Sequence, residues 1–336
     1  MFKFVGLCAT FLGLAFLYWL LPEYHRQLYR PCWEAVALAG PPILALSFAY
    51  IAWVDRRMSD PEDAYYQMGL FVAGRWKKMR GGWVKEYLLT WAVKGFFLPL
   101  MIAGCARHLT ILSTDGVDFR SFDMLFTSCI NLFFTVDVLF GSIGYLLTLR
   151  VLDAHVRSTQ ETGLGWLSAI ICYVPFSTAL WPLLFEHPGI AGAQTWRQCF
   201  KDFPVIYISW GFLIMLLYAI YTWSTCSFGC RFSNLTNRGI VTTGPYRYLK
   251  HPAYVSKNLA WWCMYLPFLA HGTWDNNLRA GLLLALSNGV YALRAWTEER
   301  HLKGDSAYIE YAAWLDEHGL FALAKRPIVR FLRECK

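Results

Sequence analysis

Charge is what this sequence has least of. Only 16% of its 336 residues are Asp, Glu, Lys or Arg, against roughly 25% in an ordinary soluble domain, while 56% are hydrophobic and 18% aromatic. That scarcity excludes a water-soluble globular protein. Paired Cys-x-x-Cys motifs are missing as well: Cys226 and Cys230 are the closest cysteines and have no second pair nearby, which argues against a zinc site and leaves no metal expected. Cys8, Cys105, Cys129, Cys172 and Cys263 sit inside apolar runs, where a thiol packs as a small hydrophobe, so the cysteines are expected to be unpaired. There is no internal repeat, no low-complexity tract and no connection long enough for a soluble domain. The 31 Lys and Arg exceed the 23 Asp and Glu, for a net charge of +8. In a membrane protein that excess records which loops stay in the cytoplasm and does not imply a nucleic-acid partner.

What is present is a series of apolar runs, each of about 20 residues, long enough to cross a bilayer at ~1.5 Å per residue. Eight are predicted to span, at 4–21, 33–53, 83–105, 124–148, 166–185, 204–222, 254–270 and 278–296. The first has a single basic residue, Lys3, and no small-x-small cleavage site before Pro22, so it is expected to be a retained anchor. With the first residue inside, 22 of the Lys and Arg fall on the cytoplasmic side and seven on the other, which places both termini in the cytoplasm. The expected fold is therefore an all-α integral membrane protein of about eight transmembrane helices. The loop 224–250 and the tail after Trp296 then share the cytoplasmic face, and the sequon Asn234-Leu235-Thr236 is expected to stay unglycosylated. The choice between a bacterial inner membrane and the endoplasmic reticulum is open.

Glu86, Lys94, Asp137 and Lys257 lie inside predicted spans, where a charge costs on the order of 2.5–3.5 kcal/mol at mid-membrane. Glu86 is close enough to a helix end to reach the interface, and Lys94 and Asp137 are expected to pair with each other. Lys257 follows Tyr254 by one turn on the same helix face; it either takes a partner, an acidic side chain or a substrate anion, or snorkels back to the cytoplasmic surface one turn away. The polar residues concentrate in two runs, Asn237 to Tyr254 and Arg294 to Arg300. A short connection at 271–277 makes the last two spans antiparallel neighbours, which brings the two runs together at one membrane surface. Arg294 and Glu298 share a helix face. A Gly-containing loop over two helix ends offers backbone donors, an imidazole, phenols, a carboxylate and a guanidinium. That set suits a polar cofactor at the membrane face with a lipid approaching between helices.

The run Thr243-Gly244-Pro245-Tyr246-Arg247-Tyr248-Leu249-Lys250-His251-Pro252-Ala253-Tyr254, followed by Glu298-Glu299, resembles the signature of the isoprenylcysteine carboxyl methyltransferase family and its phospholipid methyltransferase relatives. The resemblance covers residues 231–311 and implies an S-adenosylmethionine-dependent membrane methyltransferase acting on a lipid or lipid-attached acceptor. It implies cofactor contacts from Arg238, Gly239, Ile240, Val241, Tyr246, His251, Pro252, Ala253, Tyr254 and Glu298, with Arg294 on the substrate side. Lys257 is a candidate second substrate contact, and Glu299, with His251, a candidate base should the acceptor be an amine or thiol. A carboxylate or phosphate acceptor needs no base. Lys250 stands where an arginine is usual, and Lys303-Gly304 where Phe-Gly is common. On this reading residues 204–336 form the catalytic region and 1–203 a set of helices with a possible role in substrate access. Two other classes stay open. Membrane sterol-type reductases, which use NADPH, have a similar His-Pro-x-Tyr and a later acidic pair, and a transporter or scaffold would use Lys94, Asp137 and Lys257 as its pathway.

Overall fold

The structure is a computed structural model that describes residues 1–58, 61–177, 195–266 and 273–322. Its helices are α1 (Phe2–Leu20), α2 (Arg30–Asp55), α3 (Ala64–Val72), α4 (Trp83–Asp115), α5 (Phe122–Leu146), α6 (Gly163–Ile170), α7 (Trp196–Phe200), α8 (Pro204–Phe228), α9 (Pro252–Tyr265), α10 (Trp274–Leu302) and α11 (Ser306–His318). Two short strands, β1 (Ser158–Thr159) and β2 (Thr236–Asn237), pair antiparallel with Ser158 opposite Asn237. Local signals set the starts: the Ser121 hydroxyl accepts from the Met124 N–H at α5 and the Thr162 hydroxyl from the Gly165 N–H at α6, satisfying donors that a helix start leaves orphaned.

Five helices among the described residues are long and apolar enough to cross a membrane: Phe2–Leu20, Gln27–Asp55, Trp83–Asp115, Phe122–Leu146 and Pro204–Arg231. They answer the first four and the sixth of the expected spans, so the all-α membrane architecture holds; the other three expected spans are not among these five. The reasons differ. Of the expected span 166–185, the described part is the eight-residue α6 and a series of turns, and 178–185 lie outside the described residues. Helix α9 has 14 residues, about 21 Å at 1.5 Å each, and ends where Leu266 takes a left-handed conformation (φ 39°); residues 267–270 again lie outside. Helix α10 is long, at 29 residues, but Asp275, Arg279, Asn288 and Arg294 interrupt its apolarity.

Helices α4, α5, α8 and α9 pack in succession, α10 lies against α6, and α1 lies against the unforeseen α3. A core of Phe126, Trp196, Ile214, Met215, Tyr218 and Ala260 ties α5, α7, α8 and α9 together. A second joins Val93 and Phe97 of α4 to Tyr145, Ala169 and Leu235, and so binds the 229–250 loop to helices far earlier in the chain. At Gly144 a Cβ would fall 2.3 Å from the Phe232 carbonyl oxygen; only a glycine lets the loop backbone sit this close to α5.

The expected Lys94–Asp137 pair is not formed. Lys94 donates to the Thr148 hydroxyl and stands 5.0 Å from the Trp91 ring. Asp137 accepts instead from Tyr221 (2.7 Å) and Thr225 (2.6 Å) on α8. Hydroxyl donors on a neighbouring helix satisfy the carboxylate, so adjacency of α4 and α5 is not enough to pair their charges. Glu86 is exposed in the first turn of α4, where the helix dipole favours an acid.

Candidate active site

The motif's punctuation places the first group of side chains. Gly244-Pro245-Tyr246-Arg247 forms one 3-10 turn, with Gly244 at φ 61° and room for no Cβ, since one would lie 2.5 Å from Ser227 Oγ. The turn buries Tyr246, whose carbonyl accepts from Tyr311 OH at 2.7 Å. His251 follows as the N-cap of α9, and Pro252, buried at the first helical turn, supplies a fixed φ where a missing N–H costs nothing. The rings of His251 and Tyr254 then stack at 5.4 Å, 4° from parallel.

The end of α10 meets this start of α9, as expected for neighbours joined by a short connection. Tyr254 OH donates to Glu298 Oε2 at 2.8 Å, His251 Nε2 lies 3.0 Å from Glu299 Oε1, and His251 Nδ1 is 3.8 Å from Glu298 Oε2. The hydrogen bond to His251 holds the Glu299 carboxyl below its ordinary range, against the opposing effect of burial. Lys250 pairs with Asp316 at 3.0 Å.

One turn inward the chemistry changes. Arg294 is 5% exposed. Its guanidinium donates to Asn234 Oδ1 and lies 5.1 Å from the Tyr254 ring and 5.7 Å from the Tyr173 ring. Lys257 Nζ sits 5.2 Å from the ring of Tyr221, 5.4 Å from Trp261 and 5.8 Å from Tyr291. Among the described residues neither cation has a carboxylate within 4 Å. Aromatic faces stabilise a cation by about 0.5–2 kcal/mol each, and they leave its charge open to a ligand.

Both groups line one cavity of about 180 Å³, which also takes in Gly239, Ile240, Val241, Tyr246 and Ala253. Of the residues expected to touch a cofactor, these and His251, Tyr254 and Glu298 are therefore brought together. Two of them, Arg238 and Pro252, are placed differently, and so is Glu299, the candidate base. The Arg238 guanidinium is committed to the carbonyls of Gly144 (2.6 Å), Ala154 (2.7 Å), Phe232 (2.9 Å) and Leu147 (3.1 Å), so its side chain is a loop clamp and only its main chain is left for the cavity. Pro252 serves the helix start. Glu299 stands behind His251, outside the cavity lining, with Oε1 3.0 Å from the imidazole Nε2.

The sequence reading missed a wall. Gln160, Cys172 and Tyr173, near α6, line the same cavity, as do Tyr221 and Thr225 of α8, Asn234 and Tyr291. Tyr291 alone carried a signal, one turn before Arg294 on the same face. Thr236 Oγ1, also at the cavity, is buried with no hydrogen-bond partner among the described residues. An orphaned hydroxyl, a half-satisfied carboxylate at Glu298 and the 239–241 main chain fit a polar cofactor that brings both donors and acceptors.

No curated protein and no solved structure matches the chain. Residues 208–303, which carry most of α8, all of α9 and α10 and the loop between α8 and α9, match the model of the isoprenylcysteine carboxyl methyltransferase (ICMT) family, so over this stretch the chain is similar to a family of membrane methyltransferases, the one its motif resembles.

Proposed function

We propose that the protein is an S-adenosylmethionine-dependent methyltransferase acting, at the cytoplasmic membrane face, on a lipid or lipid-attached acceptor with an anionic head. The observation that carries this reading is the union, in one cavity whose charged lining residues fall in the family-matched stretch, of a charge-paired polar end and an end holding two cations with no described carboxylate within 4 Å. In this reading residues 204–336 form the catalytic region, and the segments on either side of α6 contribute a wall through Gln160 and Tyr173.

When bound, S-adenosylmethionine supplies a methyl carbon on a sulfonium, open to in-line attack. Glu298, fixed by Tyr254, accepts hydrogen bonds from its hydroxyl or ammonium groups, and His251, fixed by Glu299, lies beside Glu298. The Gly239–Val241 main chain and Tyr246 close the polar end. Arg294 grips the acceptor anion and Lys257 adds a second positive charge one turn away along the ring-lined wall. With both reactants held in a dry site, positioning supplies most of the rate. An oxygen anion has no proton to lose, so no base is required. An amine acceptor would need one, and His251 is the group in reach.

Calorimetric titration of the purified protein with S-adenosylmethionine and, separately, NADPH tests the class: binding of the first and not the second is expected, and the reverse result would replace this reading with a reductase. Comparison of lipid extracts with and without the gene should then show a species heavier by one methylene.

A further inference from the structure

We propose that Asn234 is the positioning residue that aims Arg294 at the acceptor while leaving its charge unspent. The inference rests on the reading above that Arg294 binds the acceptor anion. Asn234 is 6% exposed and is held from three directions. Its main-chain N–H donates to Tyr145 OH on α5 at 2.7 Å, its Nδ2 donates to Tyr173 OH at 3.0 Å, and its Oδ1 accepts from Arg294 Nη2 on α10. The two tyrosines are themselves fixed by Phe97 of α4, which stacks on Tyr145 at 5.4 Å and meets Tyr173 edge-on at 5.0 Å. The next residue, Leu235, sits at φ 60°, a left-handed conformation that a side chain with a Cβ rarely adopts, and is buried in the same cluster.

The chemistry of the amide explains why this residue suits the place. Because its donor end is taken by Tyr173, the carbonyl end is the one that faces the guanidinium. A neutral acceptor of this kind fixes the fork of Arg294 without neutralising it, so the positive charge remains available to a ligand. A carboxylate of the same shape would pair with Arg294 and repel an incoming anion. The wall that orients the acceptor site thus comes from α4, α5 and the segment after α6, outside the residues that resemble the family.

The test compares Asn234→Asp and Asn234→Ala with the wild-type full chain in neutral detergent. Melting temperature is read alone and with two anionic probes, oleate for a lipid carboxylate and dioleoyl phosphatidic acid for a lipid phosphate, and cofactor affinity is read by titration with S-adenosylmethionine. At least one probe should raise the wild-type melting temperature, and which one does so separates the two head chemistries. Asn234→Asp should melt no earlier than wild type and bind S-adenosylmethionine within about twofold, yet bind the effective probe at least about tenfold more weakly, a loss of about 1.4 kcal/mol. Asn234→Ala should weaken the probe by less. The proposal is overturned if Asn234→Asp keeps wild-type probe affinity, if its probe and cofactor affinities fall together with its melting temperature, or if neither probe shifts the wild type. Failure of the wild type to bind S-adenosylmethionine is a separate result: it removes the methyltransferase reading, while the probe arm still decides whether Asn234 tunes an anion site.

Discussion

At one end of the cavity the charges answer one another: Glu299 with His251, Glu298 with Tyr254, Lys250 with Asp316. At the other, Arg294 and Lys257 are surrounded by the rings of Tyr173, Tyr221, Tyr254, Trp261 and Tyr291, and no described carboxylate comes within 4 Å. The first arrangement is preorganised before any ligand arrives, and it suits a molecule with mixed charge such as the proposed cofactor. The second is electrostatically incomplete. Asp137 and Glu298 act on these cations only from beyond contact range, and on the proposed reading an anionic head would supply the direct partner they lack.

Separate damage to each end breaks the comparison most sharply. Arg294→Ala is expected to be the worst single change. Removing one member of a buried charged contact costs on the order of 2–5 kcal/mol, so methyl transfer from labelled S-adenosylmethionine to membrane lipid should fall by at least about 30-fold, while titration finds cofactor affinity within about twofold. Glu298→Ala should do the converse. Loss of a charged hydrogen bond, about 1.5–3 kcal/mol, weakens S-adenosylmethionine by roughly 10- to 100-fold in the same titration; unchanged affinity in a folded variant would contradict the assignment. Lys257→Met keeps the stem and removes the charge, and should lower acceptor use about tenfold with cofactor binding intact. Equal turnover would reduce Lys257 to an interfacial anchor. The smallest expected effect is with pH. Because the Glu299 carboxyl is held below its ordinary value, the stability it contributes is complete above the usual carboxylate range near ~4.3 and is lost as pH falls through the depressed value. Thermal melts of wild type and Glu299→Gln should therefore converge on acidification, and a gap that widens instead would show that the His251 contact is not what holds the carboxylate.

The two ends also differed in how legible they were. Gly244, Pro245 and Pro252 impose backbone conformations whatever surrounds them, so the turn and the start of α9 could be read directly, and the one-turn spacings of Tyr254, Lys257, Arg294 and Glu298 followed from helix geometry. The five long apolar helices were equally plain, because hydrophobic length alone defines them. The cation end depends on contacts without local signature. Asn234 meets Arg294 across 60 residues and Arg238 meets Gly144 across 94, and no periodicity announces either. The pairing of Lys94 with Asp137 failed for the related reason that opposite charge on adjacent helices does not set their rotation. Helix α10 was taken for an ordinary span, yet Arg294, one of the four residues that interrupt its apolarity, lines the cavity.

The Arg238 clamp bears on how separable the family-matched stretch is. Its guanidinium grips carbonyls at residues 144, 147 and 154 as well as 232, the last turn of α5 and the turn after it, whose own helix has no further N–H to offer them. The loop that frames the cavity is therefore shaped by main chain encoded some ninety residues upstream. Cut loose at Pro204, residues 204–336 would carry every residue of the motif but, of the four acceptors, only the Phe232 carbonyl; the three at 144, 147 and 154 would be lost, and with them the hold on the loop that frames the cavity.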